Sequence, residues 1–528
     1  WEILWYYEFF WDHIFTAIVF LHLLGIVLIL VIKSICNAVM HDWKKPVPRT
    51  SFFWICIIAA AMIVVTAVIA IGFVWDARSR IGIERESPGA PNVLIITIDA
   101  LREDYVSYPG YDFVETPNID AFASKAILYS DCHSNSPWTI PSMFTMLTSR
   151  YPSTHGAHFT VRGSDELITL AEVLRMNGYE TEAYVANTVL DGELGFDRGF
   201  SRYVRFEDIP HLMWLSKSSV YFIMESFRDH MAQWGHLQTT PWLTRILCNA
   251  LKKERRRPFF IWAHYFDPHL PLTPPERYIW GDRSSKEEAL SFIDNHPRNI
   301  TPEYKGIAVP LYGSEVLYVD DYLARVFGVL EDEYLFENTL IIISADHGEE
   351  HFDHGYYGHG ETHYEEVLAV PMLLYTPDLP PGRCDYPVSL IDVMPTILEY
   401  VGTEAVEGGK GRNMLDYLNK EPIIPDDTVV YAEGTISDLS TRSVYIYPYI
   451  LIREGDDPFE YEMEDVRLAR GPGDILEDPD EALFEKYRKT LDDLAVSAAD
   501  EAESVGGRRE IPLSEGRREQ LKNLGYFQ

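Results

Sequence analysis

Two apolar runs constrain this chain most: residues 93–98 (VLIITI) and 339–344 (TLIIIS). Neither alternates polar with apolar, so neither can lie with one face in water. Such a run reads as a strand buried on both faces, as in a parallel sheet covered by helices. The first run ends on Asp99; the second, after Ala345, on Asp346 and His347. In open α/β sheets, ligands bind outside the carboxyl ends of the strands. Residues far apart in sequence are therefore expected on one edge, where two oxygens and one nitrogen make a set suited to a divalent metal.

The surrounding pattern agrees with an α/β class. Helical periodicity follows residues 116–118 (TPN), fills 167–177 and is strong over 312–330, while 180–186, 258–265 and 371–375 read as strands. A short linker, residues 84–92, precedes the first strand. Beyond residue 425 the chain turns acidic, with Tyr-rich strand-like runs and a partly helical, acid-rich stretch over 477–503. This organisation implies a catalytic domain over 91–425 and a smaller C-terminal subdomain with an acidic tail over 426–528.

Residues 1–80 are of another kind. Two apolar stretches, uncharged over 14–32 and 51–75 and read as helices of about 14–34 and 51–75, are each long enough to cross a hydrocarbon core of roughly 30 Å. The loop between them carries Lys33, Lys44, Lys45 and Arg49 against Asp42 alone, which places it in the cytoplasm by the positive-inside rule. The expectation is a multi-pass membrane anchor, in contact with membrane lipids, with everything after residue 75 extracytoplasmic. The net charge of −36 argues against nucleic-acid binding, which needs a basic footprint, and is expected of a halophilic protein, with an ordinary acidic protein as the alternative. The five cysteines have no metal-type spacing.

Residues 136–142 (SPWTIPS) open a further helix, because Pro141 suits a first helical turn. Thr139 then sits where backbone N–H groups and the helix dipole attract anions. Its hydroxyl is either a cap or a nucleophile facing an anionic ester.

Nine blocks, in order, resemble the sulfatase family of the alkaline phosphatase superfamily. They are TIDALREDY (97–105), TPNIDAFA (116–123), SPWTIPS…SRYPSTHG (136–156), GYETEAYVAN (178–187), HYFDPHLPL (264–272), SADHGEEHFDHGYYGHG (344–360), VPMLLYTP (370–377), SLIDVMPTIL (389–398) and LKNLGYF (521–527). The resemblance implies an alkaline-phosphatase-like sheet with helices on both faces and a smaller C-terminal subdomain. It puts Thr139 at the position of the Cys or Ser of C/S-x-P-x-R, and Asp99, Asp346 and His347 on metal-ligand positions. It makes His264, His269, His359 and Asn187 substrate-contacting residues.

The departures from the family pattern narrow the chemistry. Thr carries a methyl on its carbinol carbon and cannot be oxidised to formylglycine. Met143 stands in place of the motif's Arg, Ala100 in place of a second Asp, and His347 in place of Asn. These changes resemble membrane-anchored phosphoethanolamine transferases and lipoteichoic acid synthases, which use Thr directly. One divalent ion is expected, Mn²⁺ or Zn²⁺ rather than Ca²⁺, because a His has been gained and a carboxylate lost. The implied activity is hydrolysis or transfer of phosphoric (or sulfuric) esters on an anionic, lipid- or glycan-linked envelope substrate. In that chemistry Thr139 attacks, His269 or His264 orients the oxyanion, and His359 protonates the leaving group. Two alternatives stand beside it: an arylsulfatase-like sulfuric ester hydrolase, and a catalytically silent surface binding protein. The histidine density at His347, His351, His354, His359 and His363 leaves a second metal open, with His351 and His354 read as surface-loop residues.

Overall fold

A computed structural model describes residues 89–511, apart from 109, 112, 207–238, 282, 296–299, 419–427, 437–439, 454–460, 466–473, 476–479 and 507–508. The two candidate membrane segments and the block LKNLGYF (521–527) lie outside the described residues. Among the described residues no helix is long and apolar enough to cross a membrane.

Eight strands form the main sheet. In chain order they are β1 (Asn92–Ile98), β2 (Ile127–Tyr129), β3 (Glu180–Val185), β4 (Arg202–Arg205), β5 (Phe259–Tyr265), β6 (Thr339–Ala345), β7 (Met372–Tyr375) and β8 (Gly382–Cys384). Their spatial order is β8-β2-β7-β6-β1-β5-β3-β4. The central trio β6-β1-β5 is parallel, and every residue of these three strands is buried. That is why their sequences are continuous apolar runs: both faces are covered. Strand β7 runs antiparallel to both β6 and β2, so the sheet is mixed.

The cover comes from two helix groups. One contains α1 (Pro117–Ala123), α4 (Thr239–Leu251) and α5 (Lys305–Asp332); the other contains α2 (Thr139–Thr148), α3 (Leu170–Met176) and α7 (Val393–Tyr400). Between α5 and α7 in sequence lies the one-turn helix α6 (Glu365–Leu368). The helix expected over 312–330 extends back to Lys305 and carries Pro310 inside it, where the ring removes one i→i−4 hydrogen bond. A second sheet follows, antiparallel in the order β9 (Val430–Glu433), β10 (Arg442–Ile446), β11 (Tyr449–Arg453), β12 (Tyr461–Asp465), β13 (Asp474–Ile475). Helix α8 (Glu481–Ser504) packs on it through Tyr487, Leu491 and Ala498.

Helix α2 is buried on every side. Trp138 is its cap residue in extended conformation, so Thr139 is the first helical residue and not the cap. The helix ends on Ser149 in the left-handed region (φ 55°), a conformation that costs a side-chain-bearing residue about 1 kcal/mol. Two hydrogen bonds hold Ser149 there: Oγ donates to the Ile391 carbonyl (3.0 Å) and accepts from Gly411 N–H (2.9 Å). The other end is tied to the second sheet. Asn135 donates to the Tyr431 carbonyl (2.8 Å), and its own carbonyl accepts from Glu433 N–H (3.1 Å).

Candidate active site

Strands β1 and β6 lie side by side, Ile98 opposite Ala345, so the carboxylates that follow them share one edge. The backbone turns sharply at Ala100, whose φ is 55°. Its N–H donates to Asp346 Oδ1 (3.0 Å), the same oxygen that accepts from His347 N–H (3.0 Å). The Asp346 carboxylate is thereby fixed by one oxygen and presents the other, Oδ2, inward. Helix α2 is pinned to the same place, because Ser142 Oγ donates to the Asp346 carbonyl (2.6 Å).

Four ligand-type atoms converge. His347 Nε2 lies 3.6 Å from Asp99 Oδ1, 3.4 Å from Asp346 Oδ2 and 3.3 Å from Thr139 Oγ1. All four residues are fully buried. Asp99 Oδ1 and Asp346 Oδ2 have no hydrogen-bond partner. His347 Nδ1 is 2.8 Å from the Gly348 carbonyl, which can only accept, so Nδ1 carries the proton and Nε2 presents a lone pair. Burial lowers the His347 pKa and keeps the ring neutral despite Asp346 and Asp99. Lone pairs on three atoms thus face one another in a dry site, an arrangement that a cation relieves. Asp99, Asp346 and His347 are the one group among the described residues with the spacing of a metal site.

The other sequence-derived residues divide into two sets. His269 and His359 stand beside the converging atoms: the His359 ring is 4.2 Å from that of His347 and 4.8 Å from that of His269. His269 Nδ1 donates to the Leu270 carbonyl (2.6 Å). Burial lowers both pKa values, more than Asp99 raises them. His264 and Asn187, expected to contact substrate, both meet Asp99 Oδ2. His264 Nε2 is 3.1 Å from Asp99 Oδ2, and its Nδ1 is 2.8 Å from Thr97 Oγ1, which also accepts from Trp262 Nε1 (3.0 Å). Asn187 donates to Asp99 Oδ2 (2.5 Å) and accepts from Val189 N–H (2.9 Å). The cause is register: Thr97 is paired with His264 across β1 and β5, and Val185 with His264 across β3 and β5. Burial would raise Asp99, but His269, the His264 hydrogen bond and His347 together hold its carboxyl well below the usual range.

His351 is not a surface residue. It is buried, with its ring edge-on to Tyr105 (5.5 Å) and Tyr312 (4.5 Å). The His354 side chain is likewise covered: it stacks on Tyr364 (3.7 Å), and Nδ1 meets Glu366 Oε1 (2.7 Å). His363 is buried between Ser443 Oγ and the Gly434 carbonyl, both 2.9 Å away. None of the three joins the metal-type group.

One residue escaped the sequence reading. Glu349 Oε1 lies 3.1 Å from His359 Nδ1, and its Oε2 is buried without a hydrogen bond. Burial pushes its carboxyl up to about 7, against the pull of His269 and His347. The available signal was an acid two residues after the Asp346-His347 pair.

Residues 91–403 match a protein-family model described as Sulfatase. A sulfatase of Formosa agariphila is 24% identical over 70% of this chain and 80% of its own length. An arylsulfatase of Clostridium perfringens is also 24% identical, over 62% of this chain and 79% of its own. The crystal structure of a phosphonate monoester hydrolase of Agrobacterium radiobacter superposes with a TM-score of 0.60 at 17% identity, over 78% of this chain and 96% of that one. That likeness establishes the alkaline-phosphatase-like α/β fold.

Proposed function

This chain belongs to the sulfatase family and is an ester-hydrolysing enzyme, and from that premise we propose that it cleaves or transfers a phosphoric ester through the unmodified hydroxyl of Thr139. The observation that carries this reading is the place of Thr139: first residue of a buried helix, with Oγ1 3.3 Å from His347 Nε2 and beside two carboxylate oxygens that lack partners.

Asp99, Asp346, His347 and Thr139 fit a single divalent cation, because the converging lone pairs otherwise repel. Two carboxylates and one imidazole suit Mn²⁺ or Zn²⁺ better than Ca²⁺. Such an ion supplies charge that lowers the pKa of the Thr139 hydroxyl and offsets the oxyanion of the ester. Thr139 gives up its hydroxyl proton to solvent, and Oγ1 forms the new bond to phosphorus as the bond to the departing alkoxide, in line with it, breaks. His269 orients a non-bridging oxygen. His359 gives its proton to the leaving oxygen, and Glu349 holds the opposite ring nitrogen. Burial keeps His359 neutral until an anion docks, and the anion then favours its protonated form. Water or an acceptor alcohol resolves the phospho-threonine. His264 and Asn187 act through Asp99, as residues that position a ligand.

The cationic side chains of this set are histidines, with no Lys or Arg among them. That charge balance suits a monoanionic ester, either a phosphodiester or a sulfate ester, over a dianionic phosphomonoester. The family match favours the second reading, a sulfuric ester hydrolase, which here would run through the same unmodified hydroxyl. The two apolar segments near the start of the chain support an extracytoplasmic site near a membrane, and hence a lipid- or glycan-linked substrate. The test is turnover of aryl phosphodiester, aryl phosphomonoester and aryl sulfate in parallel with Mn²⁺ or Zn²⁺. Diester cleavage should dominate and vanish in Thr139→Ala. Dominant sulfate cleavage would establish the second reading, and activity retained in Thr139→Ala would overturn both.

A further inference from the structure

A cavity of about 360 Å³ is bordered by Glu103, Asp131, His133, Glu365, Tyr445 and Tyr447, and none of the converging residues lines it. Its floor is the His133 ring, 2% exposed. His133 Nε2 is 3.0 Å from Glu365 Oε1. Its Nδ1 has Asp131 Oδ1 at 3.3 Å but outside hydrogen-bonding geometry, so this buried N–H is unsatisfied. Arg102 and Arg383 also border the cavity, yet Arg102 is bound to Asp104 and Asp353 (2.7 Å each) and Arg383 to Asp385 (2.5 Å). Asp131 and Glu365 thus flank the one imidazole, and the Glu103 carboxylate borders the same cavity.

We propose that this cavity binds a small organic ammonium ligand that carries an oxygen acceptor, such as an amino alcohol. The surplus of carboxylate calls for a cation. These acids do not have the spacing of a metal site, which among the described residues belongs to Asp99, Asp346 and His347 alone. A cation larger than a bare metal ion matches both the volume and the walls. The Tyr445 ring lies 4.2 Å from that of His133, its hydroxyl donates to Asp131 Oδ2 (2.8 Å), and Tyr447 stands 45% exposed at the rim. Aromatic faces together with carboxylates are the chemistry that holds alkylammonium groups. The acceptor on the ligand answers His133 Nδ1–H. Burial with like-charged neighbours also pushes Asp131 up to about 6 and Glu103 well above the ordinary glutamate range, a shift that a bound cation would reverse. The proposal does not depend on the role of Thr139.

The test is isothermal titration calorimetry on the full chain with 3-aminopropanol and ethylammonium, against KCl at equal ionic strength. Saturable binding of 3-aminopropanol is expected, stronger than that of ethylammonium, with no saturable heat from KCl. Glu365→Gln should weaken it about tenfold, the loss of one desolvated charge pair. Tyr447→Ala, at the exposed rim, should weaken it about threefold. No saturable heat at millimolar amine would overturn the proposal. So would equal binding by both variants, or an effect of KCl as large as that of the amine.

Discussion

The two histidine–carboxylate clusters of this protein use the same side chains to opposite ends. Around His347 the histidines are held neutral by burial, and Asp99 is held ionised below the usual range. Around His133 the order is reversed. Burial there would lower the imidazole, but Glu365 and Asp131 outweigh it and push His133 up to about 9, while Asp131 itself rises to about 6. The difference lies in who holds the ring nitrogens. His347 donates Nδ1–H to a neutral carbonyl and turns a lone pair towards the carboxylates; His133 turns a nitrogen towards a carboxylate on either side. The first arrangement leaves its carboxylates without a proton between them; the second holds one on the imidazole and still leaves carboxylate in surplus. Residue composition alone does not separate a metal site from a proton-holding site; the hydrogen-bond partner of the remote ring nitrogen does.

The largest effect that would break this contrast is at Asp346. Asp346→Asn should leave no measurable turnover and weaken Mn²⁺ or Zn²⁺ binding by more than about a hundredfold, beyond the range for a residue outside the ligand set. Equilibrium dialysis checks it, and unchanged metal affinity would remove Asp346 from the ligands. His264→Ala should weaken metal binding less, by about 10–100-fold, because it acts through Asp99. If instead the Michaelis constant rose with metal affinity intact, His264 would be a substrate contact after all.

The smallest effect sharpens the contrast through pH. The stabilisation from Asp99, whose pKa is lowered on folding, is complete above the ordinary value of 3.8 and is lost only as pH falls through the lowered one. That from His133, whose pKa is raised, is complete below 6.5 and is lost as pH rises through about 9. Urea unfolding should therefore show stability declining between pH 6.5 and 9, and His133→Gln should flatten that decline. A wild-type curve that is level over this window would contradict the assignment.

Much of the metal-type cluster was legible because strand burial writes itself into sequence. VLIITI and TLIIIS could only be central strands, and their carboxyl ends had to meet. Pro141 marked the start of α2, and with it the position of Thr139. What was not legible depends on packing between residues far apart in the chain. That His264 and Asn187 brace Asp99 follows from the register of β1, β5 and β3, which no local pattern encodes. His351 looked solvated because its neighbours in sequence are polar, whereas Tyr105 and Tyr312 reach it from other elements. The pairing of Glu349 with His359 and the cavity at His133 arise in the same way, from loops that meet only in the folded chain.

The central claim is that unmodified Thr139 carries the covalent intermediate. Its most direct test is peptide mass spectrometry of the enzyme quenched during turnover of an aryl phosphodiester with Mn²⁺ or Zn²⁺. The expected result is a phosphoryl ester on Thr139, absent without metal and absent in Asp346→Asn. Steady turnover with Thr139 unmodified at every quench time would contradict it.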